Sequence, residues 1–148
     1  MKKIVYALLL GCILINCSNN DDTDCSTVLP PPNNFTLKLV DQAGNSLIGN
    51  TFVQDSFKLY NNSETLYIKP FPTGFQDELV IFMSEVTNNQ EYYLELDQTD
   101  TDTLVVNHSI NQTDCFSFYI LQSFLYNAET IYDIQNGGND YQMVVTKD

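Results

Sequence analysis

Phe35-Thr36-Leu37-Lys38-Leu39, residues 35–39, alternates apolar and polar side chains without a break. Successive side chains of an extended strand point to opposite faces, so Phe35, Leu37 and Leu39 line one face while Thr36 and Lys38 line the other. That is the signature of a half-buried β-strand, and the turn formers Asp41-Gln42-Ala43-Gly44-Asn45 end it. Similar runs follow at 56–60, 65–69, 79–84, 91–96, 103–106, 116–126, 130–134 and 141–146, so nine strands are predicted. Thr87-Asn88-Asn89-Gln90, Asn127-Ala128 and Asn136-Gly137-Gly138-Asn139 separate strands with residues that tolerate positive φ, which favours short antiparallel links. The stretch from Asp114 to Tyr126 (DCFSFYILQSFLY) is the most apolar after the N-terminus, and its alternation breaks around Ile120-Leu121. A strand buried on both faces behaves in this way, and so does one bent by a bulge. No sustained 3.6-residue period or long repeat competes with this reading. The expectation is an all-β fold, an antiparallel β-sandwich of immunoglobulin-like or related type, with a single layer or a closed barrel as the alternatives.

Composition agrees. Of 148 residues 43% are apolar and only 17% charged, and the 9 Phe and 9 Tyr suit strands better than amphipathic helices. The formal net charge is −13, and Lys2 and Lys3 at the N-terminus are two of only six cations, so a mature chain without them is more acidic still. Nucleic acid is excluded as a partner because phosphate neutralisation needs clustered Lys and Arg. Anionic head groups would repel the chain, so any attachment to a membrane must be covalent rather than electrostatic.

The N-terminus supplies such an attachment. Met1-Lys2-Lys3 forms a positive start, and Ile4 to Ile15 an apolar run of 12 residues that stops at Asn16-Cys17. A spanning helix needs about 20 apolar residues, so export with cleavage fits better than a permanent span. Leu14-Ile15-Asn16-Cys17 resembles the cleavage and lipidation site of bacterial lipoprotein signal peptides, with the leucine in place and Asn16 where Gly, Ala or Ser is usual. Leu9-Leu10-Gly11-Cys12 matches the same pattern locally, but would leave Ile13, Leu14 and Ile15 stranded at the mature N-terminus. The resemblance implies acylation, including palmitate, on Cys17. The following Ser18-Asn19-Asn20-Asp21-Asp22-Thr23-Asp24 resembles the acidic export signal of Bacteroidota-type surface lipoproteins. It implies the outer membrane and its outer leaflet, with the periplasmic face as the alternative; physically the run is also a solvated, self-repelling spacer. The organisation read from this is a signal peptide at 1–16, an acidic, proline-containing tether at 17–33 ending in Pro30-Pro31-Pro32-Asn33, and a β-sandwich domain at 34–148.

With Cys12 in the leader and Cys17 acylated, Cys25 and Cys115 are the two thiols left in an oxidising compartment. A Cys25–Cys115 disulfide is expected, two free thiols being the alternative. Wide spacing and a lone histidine, His108, speak against a zinc site.

Catalytic sets are thin. The chain carries no nucleophile-elbow serine, no phosphate-cradling Gly-rich loop and no close Cys-His pair, so no catalytic residue is assigned. Asp97, Asp100 and Asp102 sit in one acidic loop, Asp97-Gln98-Thr99-Asp100-Thr101-Asp102, that offers hard oxygen ligands to calcium but lacks the glycine and terminal glutamate of an EF-hand. The simpler reading is a solvated turn, and no other cofactor is implied. Asp102-Thr103-Leu104 resembles the acceptor motif for O-linked glycosylation of exported Bacteroidota-type proteins, which implies modification of Thr103. The seven tyrosines 60, 67, 92, 93, 126, 132 and 141 would stack on sugars if several shared an exposed face, but strand alternation sends about half of them into the core. Function is therefore expected to be that of a lipid-anchored, non-enzymatic accessory or binding module of the cell envelope, with a protein or glycan partner. The alternatives are a secreted hydrolase or inhibitor with a site assembled across loops, or a calcium-dependent adhesin.

Overall fold

The computed structural model describes residues 25–70, 77–134 and 141–147; the leader, Cys12, Cys17, the acidic run through Asp24 and the Asn136–Asn139 turn lie outside them. Among the described residues there are nine strands: β1 (Asn34–Val40), β2 (Phe57–Tyr60), β3 (Thr65–Ile68), β4 (Leu79–Phe82), β5 (Glu91–Glu95), β6 (Thr101–Gln112), β7 (Ser117–Tyr126), β8 (Glu129–Asp133) and β9 (Gln142–Thr146). They form two sheets, β4-β1-β9 and β3-β2-β5-β6-β7-β8. All neighbouring pairs are antiparallel except β1 with β9, which run parallel from Thr36↔Gln142 to Val40↔Thr146. The fold is the expected sandwich, divided three strands against six rather than the four against three of an immunoglobulin constant domain.

The period-two pattern of β1 does what it predicts. Phe35, Leu37 and Leu39 are at most 1% exposed, while Thr36 and Lys38 are half-buried. Phe35 reaches across to Phe124 of β7, ring centroids 5.2 Å apart, so the two sheets meet at their inner faces. Leu59, Tyr92, Leu94, Leu104, Val106, Leu121 and Met143 belong to the same buried cluster.

β7 answers the question raised by its broken alternation. Asn107 pairs with Ser123 but His108 with Leu121, so Gln122 is an extra residue on β7. This bulge puts Leu121 and Phe124, three apart, both into the core. A second irregularity inserts Ile131 on β8, between Thr130, opposite Leu125, and Tyr132, opposite Phe124. The β7–β8 link is the two-residue turn Asn127-Ala128 with φ of 48° and 65°, the left-handed geometry that twists a hairpin correctly.

The expected strand at 103–106 is much longer in the structure, Thr101–Gln112. Asn107 to Gln112 carries one apolar residue, Ile110, and no alternation, so its sequence gives no strand signal. It is nevertheless held in a ladder with β7, outside the core, where no face has to be apolar.

Candidate functional site

Cys25 and Cys115 are bonded, with Cα atoms 5.2 Å apart and 90 positions between them in sequence. Cys25 opens a 3₁₀ turn at Cys25–Thr27, and Cys115 lies in the four-residue turn between β6 and β7, where Thr113 and Phe116 exchange backbone and hydroxyl hydrogen bonds.

The acidic loop splits in two. Asp97 caps its own turn: Oδ1 accepts the backbone N–H groups of Thr99 at 2.7 Å and Asp100 at 2.9 Å. The bond from Thr99 holds its carboxyl below the ordinary range. Asp100 and Asp102 instead converge on the ammonium of Lys147, 2.8 Å and 2.5 Å away. Lys147 follows β9 in the smaller sheet and Asp102 belongs to β6 in the larger, so the pair joins the two layers at one end of the sandwich. Asp102, 5% exposed, also accepts the hydroxyl of Tyr126 at 2.5 Å and the amide of Asn127 at 2.7 Å. The three acids are thus not gathered around a cation-sized space, and no group of three metal-ligating side chains is placed to hold an ion among the described residues. The cation that Asp100 and Asp102 meet is the protein's own Lys147, which sequence spacing did not single out.

Burial alone would raise the Asp102 carboxyl, but the bonds from Asn127, Lys147 and Tyr126 outweigh it and hold it below 3.8. Burial likewise works to lower Lys147, and its two carboxylate partners outweigh it to leave it above 10.5. Burial and then Asp102 push the Tyr126 phenol well above its usual 10.0. A depressed acid stabilises the fold above its unfolded pKa and loses that contribution as pH falls through the folded one; the raised Lys147 contributes below 10.5 and loses it above. The stability gap between the wild type and Asp102→Asn should therefore be constant near neutrality and narrow as pH falls below 3.8. Urea midpoints measured against pH test this; a gap that widens on acidification would contradict it.

The tyrosines divide as alternation requires. Tyr92 and Tyr126 are buried; the hydroxyl of Tyr92 donates to Glu64 and accepts from the N–H of Thr87 at 2.8 Å. On the outward face of the larger sheet the pairings place Tyr67, Lys58, Glu95 and Thr101 in one row, and Thr65, Tyr60, Tyr93 and Thr103 in the next. The Tyr60 and Tyr93 rings are 5.5 Å apart, and the Lys58 ammonium lies 4.3 Å above Tyr60 and 3.2 Å from Glu95. Thr103 is half-buried on β6, its hydroxyl 3.4 Å from the Asn127 side-chain oxygen.

Tyr67, 70% exposed, links this face to a cleft of about 350 Å³ between β3 and β4, the edge strands of the two sheets. Ile68, Pro70, Val80 and Phe82 share its wall, with Lys69 and Glu85 as its charged groups. An apolar wall with a few polar groups at its rim can hold and orient a small ligand or a side chain of a partner. No sequence period announces this cleft, because its walls come from strands of different sheets.

His108 lies on β6 opposite the β7 bulge, its Nε2 donating to the Val86 carbonyl at 3.2 Å and its ring edge-on to Tyr119. No helix among the described residues is long and apolar enough to cross a membrane. No family model, curated protein or solved structure matches the chain.

Proposed function

We propose that the protein is a lipid-anchored component of the cell envelope, exported with Cys17 acylated. Its sandwich acts as a non-enzymatic binding module, with the cleft between β3 and β4 as the ligand surface. The observation that carries this reading is the Cys25–Cys115 bridge. It fits an oxidising compartment beyond the inner membrane, and it leaves Cys12 and Cys17, of which Cys17, just behind the apolar run, is the one we assign to lipid. The acidic run at 18–24 favours the outer membrane and its outer surface over the periplasmic face. The binding role is supported by the mostly apolar cleft beside exposed Tyr67. It also accords with Asp102, Tyr126 and Lys147, whose polar atoms are engaged with one another as a structural ion-pair network, which accounts for the direction in which each titration is shifted. Thr103 is the position at which we place O-glycosylation, if the exported chain is modified.

Metabolic labelling with palmitate tests the anchor. The wild type should take up label and sediment with membranes, and Cys17→Ser should do neither. Label retained by Cys17→Ser and lost in Cys12→Ser would move the anchor to Cys12, and no label in the wild type would remove it.

A further inference from the structure

β6 and β7 stay paired beyond the rest of their sheet. β5 accompanies β6 only as far as Val105, and β8 accompanies β7 no further toward its start than Ser123, yet the β6–β7 ladder runs on to Gln112↔Ser117. Past the bulge it is a two-stranded arm, and its tip holds Cys115. Exposed apolar groups gather on this arm and on the segment bonded to it: Ile110 is 63% exposed, Val28 45% and Leu29 88%. Phe116 and Phe118 add a half-buried pair with ring centroids 5.9 Å apart. Charge is missing from the same region. In a chain of net −13, residues 25–37 contain no charged side chain, and residues 103–126 contain only Asp114 beside His108.

Cys17 is eight positions before Cys25 in sequence. Even fully extended, that stretch reaches at most about 29 Å. A lipid on Cys17 therefore keeps the arm's tip close to the bilayer whatever the rest of the domain does. Acidic surfaces would be pushed from anionic head groups, whereas an apolar end whose one carboxylate is Asp114 would be repelled far less.

We propose that the tip of the β6–β7 arm and the adjoining segment 25–33 are a membrane-docking surface. Leu29, Val28 and Ile110 enter the boundary between head groups and acyl chains of the bilayer that holds the Cys17 lipid. This rests on acylation at Cys17. Because β6 runs from Asp102 toward the arm, docking turns the Asp100–Asp102–Lys147 end of the sandwich away from the membrane.

The absence of tryptophan makes the test direct. Full-length acylated protein carrying Leu29→Trp or Ile110→Trp is reconstituted into phosphatidylcholine vesicles with brominated acyl chains. Val53→Trp and Val144→Trp, at positions 72% and 51% exposed, serve as controls. Intact mass and vesicle flotation are recorded on each sample. Docking predicts blue-shifted emission and loss of intensity to bromine at positions 29 and 110, with little of either at 53 and 144. Acylated, floating protein with equal, weak quenching at all four positions would overturn docking and leave the anchor standing. A blue shift at 29 that needs no vesicles and grows with protein concentration would assign the patch to a second copy of the chain instead. Protein that is not acylated would remove the anchor and the docking together.

Discussion

Asp102→Ala should lower the unfolding free energy of the domain by about 3–5 kcal/mol, the usual consequence of removing one partner from a buried ion pair. The magnitude follows from what is left behind. The Tyr126 hydroxyl loses its acceptor while remaining 3% exposed at residue level, and Lys147 keeps only Asp100. Asn127, which sits at φ 48° in the β7–β8 turn, loses the carboxylate that orients its amide. Asp100→Ala should cost about 1 kcal/mol or less, because that carboxylate is 30% exposed and leaves the inner pair intact. Asp102→Asn should fall between them, since an amide oxygen can still accept from Tyr126. Urea denaturation of the three variants orders them; equal costs for Asp102→Ala and Asp100→Ala would show that the cross-layer pair is not what holds this end of the sandwich.

Removing the disulfide by Cys25→Ser with Cys115→Ser should cost about 2 kcal/mol, less than the roughly 4–5 kcal/mol that a 90-residue loop suggests. The larger figure assumes that the native chain is equally ordered with and without the bridge. Here residues 25–32 are exposed, and β1 begins only at Asn34, so the unbridged native state would itself gain the freedom of a short loop. With closure entropy growing as about 1.5 RT ln n, the difference between closing a 90-residue loop and one of about nine residues leaves roughly 2 kcal/mol. Chemical denaturation of the double variant beside the oxidised wild type measures it. A loss near 5 kcal/mol would mean that segment 25–33 is fixed to the domain by contacts other than the bridge.

The sandwich was readable because its strands obey one local rule. Phe35, Leu37 and Leu39 alternate with polar neighbours, and the positions that begin and end most other strands are marked by Asn, Asp or Gly. The rule failed at Asn107–Gln112, where pairing with β7 is not accompanied by burial and leaves no apolar alternation. The Cys25–Cys115 bond was readable by arithmetic on four cysteines. Lys147 as the partner of Asp102 was not, since nothing local relates two residues 45 positions apart on different sheets. The same holds for the cleft, whose walls at Tyr67 and Phe82 meet only after the two layers have packed. The tyrosines lie between these cases: alternation said that half would be outside, but the strand order was needed to show that Tyr60, Tyr67 and Tyr93 share one face.

Intact mass of the protein taken from the membrane fraction, alkylated before and after reduction, tests the central claim most directly. The account predicts the mass of residues 17–148 plus acyl chains, with two alkylated thiols appearing only after reduction. A mass that retains residues 1–16, or an unacylated chain, would contradict the lipid anchor, and alkylation without reduction would contradict the Cys25–Cys115 bridge in the cell.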